Sequence, residues 1–213
     1  MTGFVYIIGV GPGAPDLLTL RAIDRLSKAQ VVVYGNLVPD IIVEKYAKNA
    51  IEKIKIVKRH RKEAIKIVID RALKGYVVAH LKNGDPTIYS HLREELEELK
   101  RHNIPYEVIP GVSSITAGAI EAEISLTDYP NIRGFSVVNG HDEDIETMVR
   151  LVRELGMLVI LMPSFEKART LIQKLGDEYA IKIVKNISIN TEILDKIPEE
   201  YDKPCIIYVY RVR

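Results

Sequence analysis

From residue 4 to about 111, short β-branched and apolar runs alternate with stretches whose apolar positions recur every three or four residues. The runs, closed by turn formers, predict strands at 4–8, 31–34, about 54–57, 76–81 and 106–109, and the intervening periodicity predicts helices near 17–29, 39–47, 61–74 and 89–102. Strands apolar on both faces, each followed by a helix, imply parallel βαβ units. In the last of these helices Tyr89, Leu92, Leu96 and Leu99 form the apolar stripe. Glu94, Glu95, Glu97, Glu98, Lys100 and Arg101 then read as its solvated face.

Beyond Pro110-Gly111 the pattern changes. A helix of small residues is expected from about Ser113 to Ala122, then an irregular stretch, Leu126-Thr127-Asp128-Tyr129-Pro130-Asn131. Strands recur at about 134–138, 157–162, 181–188 and 204–212, with helices near 143–155 and 165–175. The shorter linkers among the later strands imply a mixed, partly antiparallel sheet. The expected architecture is therefore α/β in two lobes, 1–112 and 113–213, with a cleft between them.

Composition narrows the possible functions. The 213 residues are 47% apolar, enough for a core, and 30 basic residues against 29 acidic ones provide no broad field for nucleic acid or an anionic membrane. A polyanionic ligand would have to be met by a local cluster. The single cysteine, Cys205, excludes an intrachain disulfide or a Cys-based zinc site, and in its apolar strand it reads as core. No apolar run approaches membrane-spanning length and no basic leader precedes the first one, so the expected compartment is the cytoplasm.

The first strand, Phe4-Val5-Tyr6-Ile7-Ile8, runs into Gly9-Val10-Gly11-Pro12-Gly13-Ala14-Pro15-Asp16. Gly9, Gly11 and Ala14 fit the spacing of a dinucleotide fingerprint. That fingerprint works by aiming free helix N–H groups at a pyrophosphate. Pro12 and Pro15 remove two such donors and delay the helix to about Asp16, a plausible N-cap. The second strand ends in Tyr34-Gly35-Asn36, with no acidic residue for a ribose, and no Gly-Lys-Ser/Thr follows for a P-loop. A loop for another small molecule is the leading reading, ahead of a purely structural turn and, last, a dinucleotide site.

Two further strand ends carry similar chemistry. Tyr76–Leu81 leads into Lys82-Asn83-Gly84-Asp85-Pro86-Thr87-Ile88-Tyr89, where a carboxylate repels phosphate and suits a cationic or hydroxyl-rich ligand; the alternative is a plain turn with Asp85 as helix N-cap. Glu107-Val108-Ile109-Pro110-Gly111-Val112-Ser113-Ser114-Ile115-Thr116-Ala117 leads into the small-residue helix, whose small side chains admit either a ligand or, more simply, tight packing.

Together, Gly9–Leu20, Asn83–Tyr89 and Ile109–Ala117 resemble the tetrapyrrole methylase family, over residues 4–140 above all. The resemblance implies two α/β lobes, a homodimer, and S-adenosylmethionine as cofactor, contacted by Pro12, by Asn83, Gly84, Asp85 and Ile88, by Ser113 and Ser114, and by Met162. It implies C-methylation of an anionic tetrapyrrole on the way to sirohaem or cobalamin, with uroporphyrinogen III the foremost substrate and cobalt-precorrins the alternative. Such a substrate carries many carboxylates, for which Lys58-Arg59-His60-Arg61-Lys62 is the densest basic cluster. Lys58 is the candidate there for a catalytic role, with Arg59 and His60 as substrate contacts and Arg133 and His141 as further ones. No metal site is expected.

Lys58-Arg59 and Val137-Val138-Asn139-Gly140-His141 resemble the uroporphyrinogen methylases, yet those carry an aspartate, a proposed proton acceptor, where this chain has Gly35. Tyr89-Ser90-His91-Leu92-Arg93 also replaces their glycine-rich stretch, and Ile104–Pro110 is closer to the precorrin-4 C11-methyltransferases. The absent aspartate and the short length resemble the C5-methylating relatives. Diphthine synthase, built on a similar scaffold for a protein substrate, and a non-catalytic paralogue are the readings from other classes.

Overall fold

The computed structural model describes residues 2–57, 61–199 and 204–212. Its chain divides into two compact units, 1–114 and 115–213.

The first unit is a wound parallel sheet. Strands β1 (Phe4–Gly9), β2 (Val31–Gly35), β3 (Glu52–Ile56), β4 (Val77–Lys82) and β5 (Tyr106–Ile109) lie in the order β3-β2-β4-β1-β5, every pairing parallel. Helices α1 (Leu20–Lys28), α2 (Asp40–Tyr46), α3 (Arg61–Leu73) and α4 (Leu92–Arg101) link them. Both faces are buried along the inner strands, which is why β1 and β2 read as unbroken apolar runs. Ile8, Val32, Tyr34, Ala79 and Leu81 join one core cluster with Ala22, Leu26, Ile42 and Val43 of α1 and α2. Val5, Ile7, Val31, Val33 and Val78 join a second with Ile65, Val68 and Leu99.

Three expectations need correction in this unit. Asp16 does not cap α1: Pro15–Leu17 form a separate 3₁₀ turn, and Thr19 is the N-cap, its hydroxyl accepting from the Ala22 N–H at 3.1 Å. Between them Leu18 is extended and buried, an anchor that restarts the helix. Helix α4 begins at Leu92 rather than 89, because Tyr89 and His91 are left-handed, with φ of 47° and 59°. Nor is its charged run wholly solvated, since Glu95 is fully buried.

The second unit has the mixed sheet expected. Helix α5 (Ser114–Glu121) straddles the boundary between the units, and β6 (Gly134–Asn139), α6 (Ile145–Leu155), β7 (Gly156–Leu161), α7 (Phe165–Leu175), β8 (Tyr179–Lys185), β9 (Glu192–Leu194) and β10 (Cys205–Arg211) follow. The order is β6-β7-β10-β8-β9: β6 and β7 are parallel, whereas β10 runs antiparallel to both its neighbours and β9 antiparallel to β8. Three-residue β9 has no sequence pattern long enough to announce it. Asp144 and Ser164 cap α6 and α7 through the N–H groups of Thr147 and Lys167. Cys205 packs in the core cluster between the sheet and these helices.

The small residues of α5 serve packing. A Cβ on Gly118 would lie 2.5 Å from the Tyr208 hydroxyl, and that hydroxyl donates to the Ile115 carbonyl at 2.8 Å. Burial pushes the Tyr208 phenol above its ordinary value. Among the described residues no helix is long and apolar enough to cross a membrane.

Candidate active site

Because β4, β1 and β5 are neighbours, the three glycine-bearing segments that follow them emerge side by side at the carboxyl edge of the parallel sheet. In open parallel sheets this edge is where ligands bind. The segments are also locked to one another through backbone. Val10 N–H donates to the Lys82 carbonyl at 2.9 Å, and Gly11 and Gly84 exchange N–H···O bonds of 3.2 and 2.7 Å. A Cβ on Gly111 would fall 2.2 Å from the Gly84 carbonyl oxygen and 2.7 Å from the Gly9 carbonyl carbon. One on Gly9 would meet the Gly111 nitrogen at 2.6 Å. These two glycines exist so that loops can touch, a role that spacing alone does not distinguish from ligand contact.

Asp85 is the staple. Its Oδ1 accepts the Thr87 N–H at 2.9 Å, together with the Thr87 hydroxyl, and its Oδ2 accepts the Gly111 N–H at 3.1 Å. Burial opposes the charge, but these bonds prevail and hold the carboxyl below the usual carboxylate range. Asp85 therefore is not a helix N-cap: α4 starts seven residues later and its N-cap, His91, makes no side-chain capping bond.

Beside it, the Asn83 side-chain oxygen is buried and has no hydrogen-bond partner among the described residues. A buried acceptor left unmade costs about 1–3 kcal/mol. Gly84, at φ 68°, turns the chain next to Ser114, whose nitrogen and hydroxyl would lie 3.5 and 3.7 Å from a Cβ there. Ser113 precedes it on the same segment, Ile88 is half-buried with its N–H on the Asp85 carbonyl, and half-buried Pro12 lies between Gly11 and Gly13. Orphaned acceptor, close-approach glycine, hydroxyl and carboxylate suit a small ligand that carries hydrogen-bond donors. The structure thus brings together Pro12, Asn83, Gly84, Asp85, Ile88, Ser113 and Ser114.

The remaining candidates lie elsewhere. Lys58, Arg59 and His60 are outside the described residues. Met162 and His141 belong to the second unit, at the paired ends of β6 and β7, where Gly140 N–H donates to the Leu161 carbonyl at 2.8 Å. Met162 is left-handed, with φ of 47°, the kind of backbone strain that collects at functional sites. Arg133 instead precedes β6 and donates to the Glu154 carbonyl at 3.2 Å. The strand that lies between it and His141 is itself about 17 Å long at 3.3 Å per residue.

Two features escaped the sequence reading. Lys167 of α7 donates to the carbonyls of His141 and Glu143 at 2.6 and 2.8 Å and holds that turn in place. Glu95 lies between His80 Nδ1, at 2.6 Å, and Lys82 Nζ, at 2.8 Å. A signal for this group was present: His80 and Lys82 sit two apart in an otherwise apolar strand, so they share a face and call for an acidic partner.

The model of the Tetrapyrrole (Corrin/Porphyrin) Methylases matches residues 5–198. A uroporphyrinogen-III C-methyltransferase of Methanocaldococcus jannaschii is 36% identical over 183 residues, which are 82% of this chain and 75% of that protein. Sirohaem synthases of Pseudomonas are also similar, that of P. paraeruginosa at 38% identity over 67% of this chain, though the match spans only 32% of its own length. Among solved structures, the uroporphyrin-III C-methyl transferase from Thermus thermophilus complexed with S-adenyl homocysteine superposes with a TM-score of 0.80 at 28% identity, covering 98% of this chain and 97% of that one. A cobalt precorrin-4 methyltransferase gives a TM-score of 0.85 at 24% identity, over 97% of this chain and 94% of that one, a likeness of fold.

Proposed function

The chain belongs to the tetrapyrrole (corrin/porphyrin) methylase family, and on that premise we propose that it transfers methyl groups from S-adenosylmethionine to ring carbons of uroporphyrinogen III, toward sirohaem or cobalamin. The observation that carries this reading is the junction of three loops around the unpartnered Asn83 oxygen, the Asp85 carboxylate and Ser114. Its chemistry suits a ligand with hydroxyls and positive charge and disfavours a pyrophosphate.

S-adenosylmethionine, when bound, supplies an already activated methyl group. What the protein adds is placement. Asn83 and Ser114 offer polar contacts, Gly84 admits close approach, Asp85 keeps its charge at any physiological pH, and Pro12, Ile88 and Ser113 line the same edge. Holding reacting atoms in line can contribute about 7–11 kcal/mol. Met162 is assigned to the cofactor as well. Lys58, Arg59, His60, Arg133 and His141 are assigned to the substrate, where cations pair with its carboxylates; Lys58 is the residue proposed to act in catalysis.

Neither Asp85 nor Asp40 is matched to removing a proton from the methylated ring. Asp85 is held acidic, and so is Asp40, near the end of β2, chiefly by the Lys55 ammonium 2.8 Å away. Carboxylates of lowered pKa are poor bases at neutral pH. With Gly35 in place of an acid, water is the proton acceptor in this reading. The working form is a cytoplasmic homodimer.

Calorimetric titration with S-adenosylhomocysteine, followed by incubation with S-adenosylmethionine and uroporphyrinogen III, tests the assignment. Binding and a product heavier by whole methyl groups are expected. Binding with methylation only of cobalt-precorrins would move the substrate, and no binding would overturn the cofactor site. Asp85→Ala should weaken cofactor binding at least about tenfold, or about 1.4 kcal/mol, because the loop loses its staple.

A further inference from the structure

Among the described residues, tyrosines and the cysteine aside, the buried polar or charged side chains are His80 and Glu95, and they contact each other. Glu95 is in the first turn of α4 and its side chain has no exposure to solvent. Its Oε1 accepts the His80 Nδ1–H at 2.6 Å, and its Oε2 lies 2.8 Å from the ammonium of Lys82, itself only 12% exposed. An ionised carboxylate can only accept, so the His80 proton sits on Nδ1. Burying charge is expensive, and an apolar side chain of similar volume would hold a helix against a strand at less cost. A reason for charge must lie in what the pair fixes.

Lys82 is the last residue of β4, directly before Asn83, and Glu95 lies just beyond the start of α4. Their ion pair therefore closes the segment 83–94, which contains Asn83, Gly84, Asp85 and Ile88. Inside that closed segment two non-glycine residues, Tyr89 and His91, are left-handed. Such backbone persists only where its surroundings over-determine it. Near its start the segment is held a second time, by the Asp85 bonds to Thr87 and Gly111.

We propose that Glu95 is a positioning residue: clasped to Lys82 and His80, it fixes both ends of the 83–94 segment and so sets the geometry of the loop that receives the cofactor. The assignment rests on the cofactor reading above for its ligand, while the clasp itself is a property of the loop. Removing the charge at unchanged volume should loosen the loop and weaken binding, with little effect on the chemical step once ligand is bound.

Glu95→Gln is the direct variant, Lys82→Met the second, placed at the rim of the same pair, and Leu99→Ala the control for lost packing in the same helix. Hydrogen exchange of the peptide covering 83–91 is measured in the full chain without ligand, alongside thermal unfolding and S-adenosylhomocysteine titration. The clasp variants should speed exchange in that peptide at least about tenfold, raise the Kd by a similar factor and leave kcat within about twofold. Leu99→Ala should lower the unfolding midpoint as much without the selective change in exchange or Kd. Unchanged exchange in both clasp variants, or an equal selective change in Leu99→Ala, overturns the proposal. Faster exchange in a protein whose wild type does not bind S-adenosylhomocysteine would uphold the clasp and reject the cofactor reading.

Discussion

The two units solve one problem in different ways. In the first, every strand is parallel, so three adjacent strands, β4, β1 and β5, deliver three loops to one edge, and those loops pack backbone to backbone. In the second, antiparallel β10 lies between β7 and β8, so among the described strands only β6 and β7 end as neighbours, and a lysine from α7 holds their turn by its carbonyls. A parallel sheet can thus build a site from main chain, which glycine alone permits. A mixed sheet has to brace its shorter edge with side chains. The first arrangement should be the less tolerant of added atoms, and the second of lost hydrogen bonds.

The harshest trial of that difference is Gly111→Ala. The new methyl would strike the backbone of Gly84 and Gly9, none of which can rotate away, so a loss of about 3 kcal/mol or more is expected in denaturant unfolding. A midpoint within error of wild type would show that the loops are not locked.

Acid comes next. Burial would raise the Glu95 carboxyl, but His80 and Lys82 hold it well below the usual carboxylate range. A depressed folded-state pKa adds stability that is complete above the unfolded value, 4.5, and lost as pH falls below it toward the folded value. The wild type should therefore lose stability below pH 4.5 with a contribution of up to about 1.4 kcal/mol per pH unit from this group. Glu95→Gln should flatten that limb, and parallel acid limbs would remove Glu95 from the account.

Removing the Tyr208 hydroxyl probes the second unit. Tyr208→Phe gives up the bond to Ile115 in a fully buried position, and about 1 kcal/mol should disappear from its stability while cofactor affinity stays at the wild-type value. A shift in affinity would mean that the units are coupled through α5.

The mildest change sharpens the contrast among glycines of the first unit. Gly35 has no atom within 4 Å of a Cβ position and no left-handed backbone, so Gly35→Ala should be neutral or stabilising by up to about 1 kcal/mol. Equal damage from Gly35→Ala and Gly111→Ala would erase the distinction between packed and open glycines.

Much of this was legible in the chain. Continuous apolar runs and period-3.6 patterns marked nearly every strand and helix, because a sheet buried on both faces and helices with one apolar stripe leave a one-dimensional trace. The three loop segments were legible too, as strand, glycine and turn in succession. What escaped depends on neighbours distant in sequence. The Asp16 cap failed because Leu18 is drawn into the core and restarts the helix at Thr19. Glu95 read as solvated because its five charged neighbours are polar too, and only the His80 and Lys82 side chains on β4 distinguish it.

Residue order by itself determined the α/β character, the alternation that makes the first sheet parallel, and the family, since each follows from local patterning and spaced motifs. Tertiary structure alone decided which glycine is for packing and which is open, that Asp85 staples loops, that Asn83 keeps an unpaired acceptor, and that an ion pair closes the loop between them. Those are facts about close approach between segments from about a dozen to about 100 residues apart, and close approach is settled by strand order and side-chain packing, which no local pattern encodes.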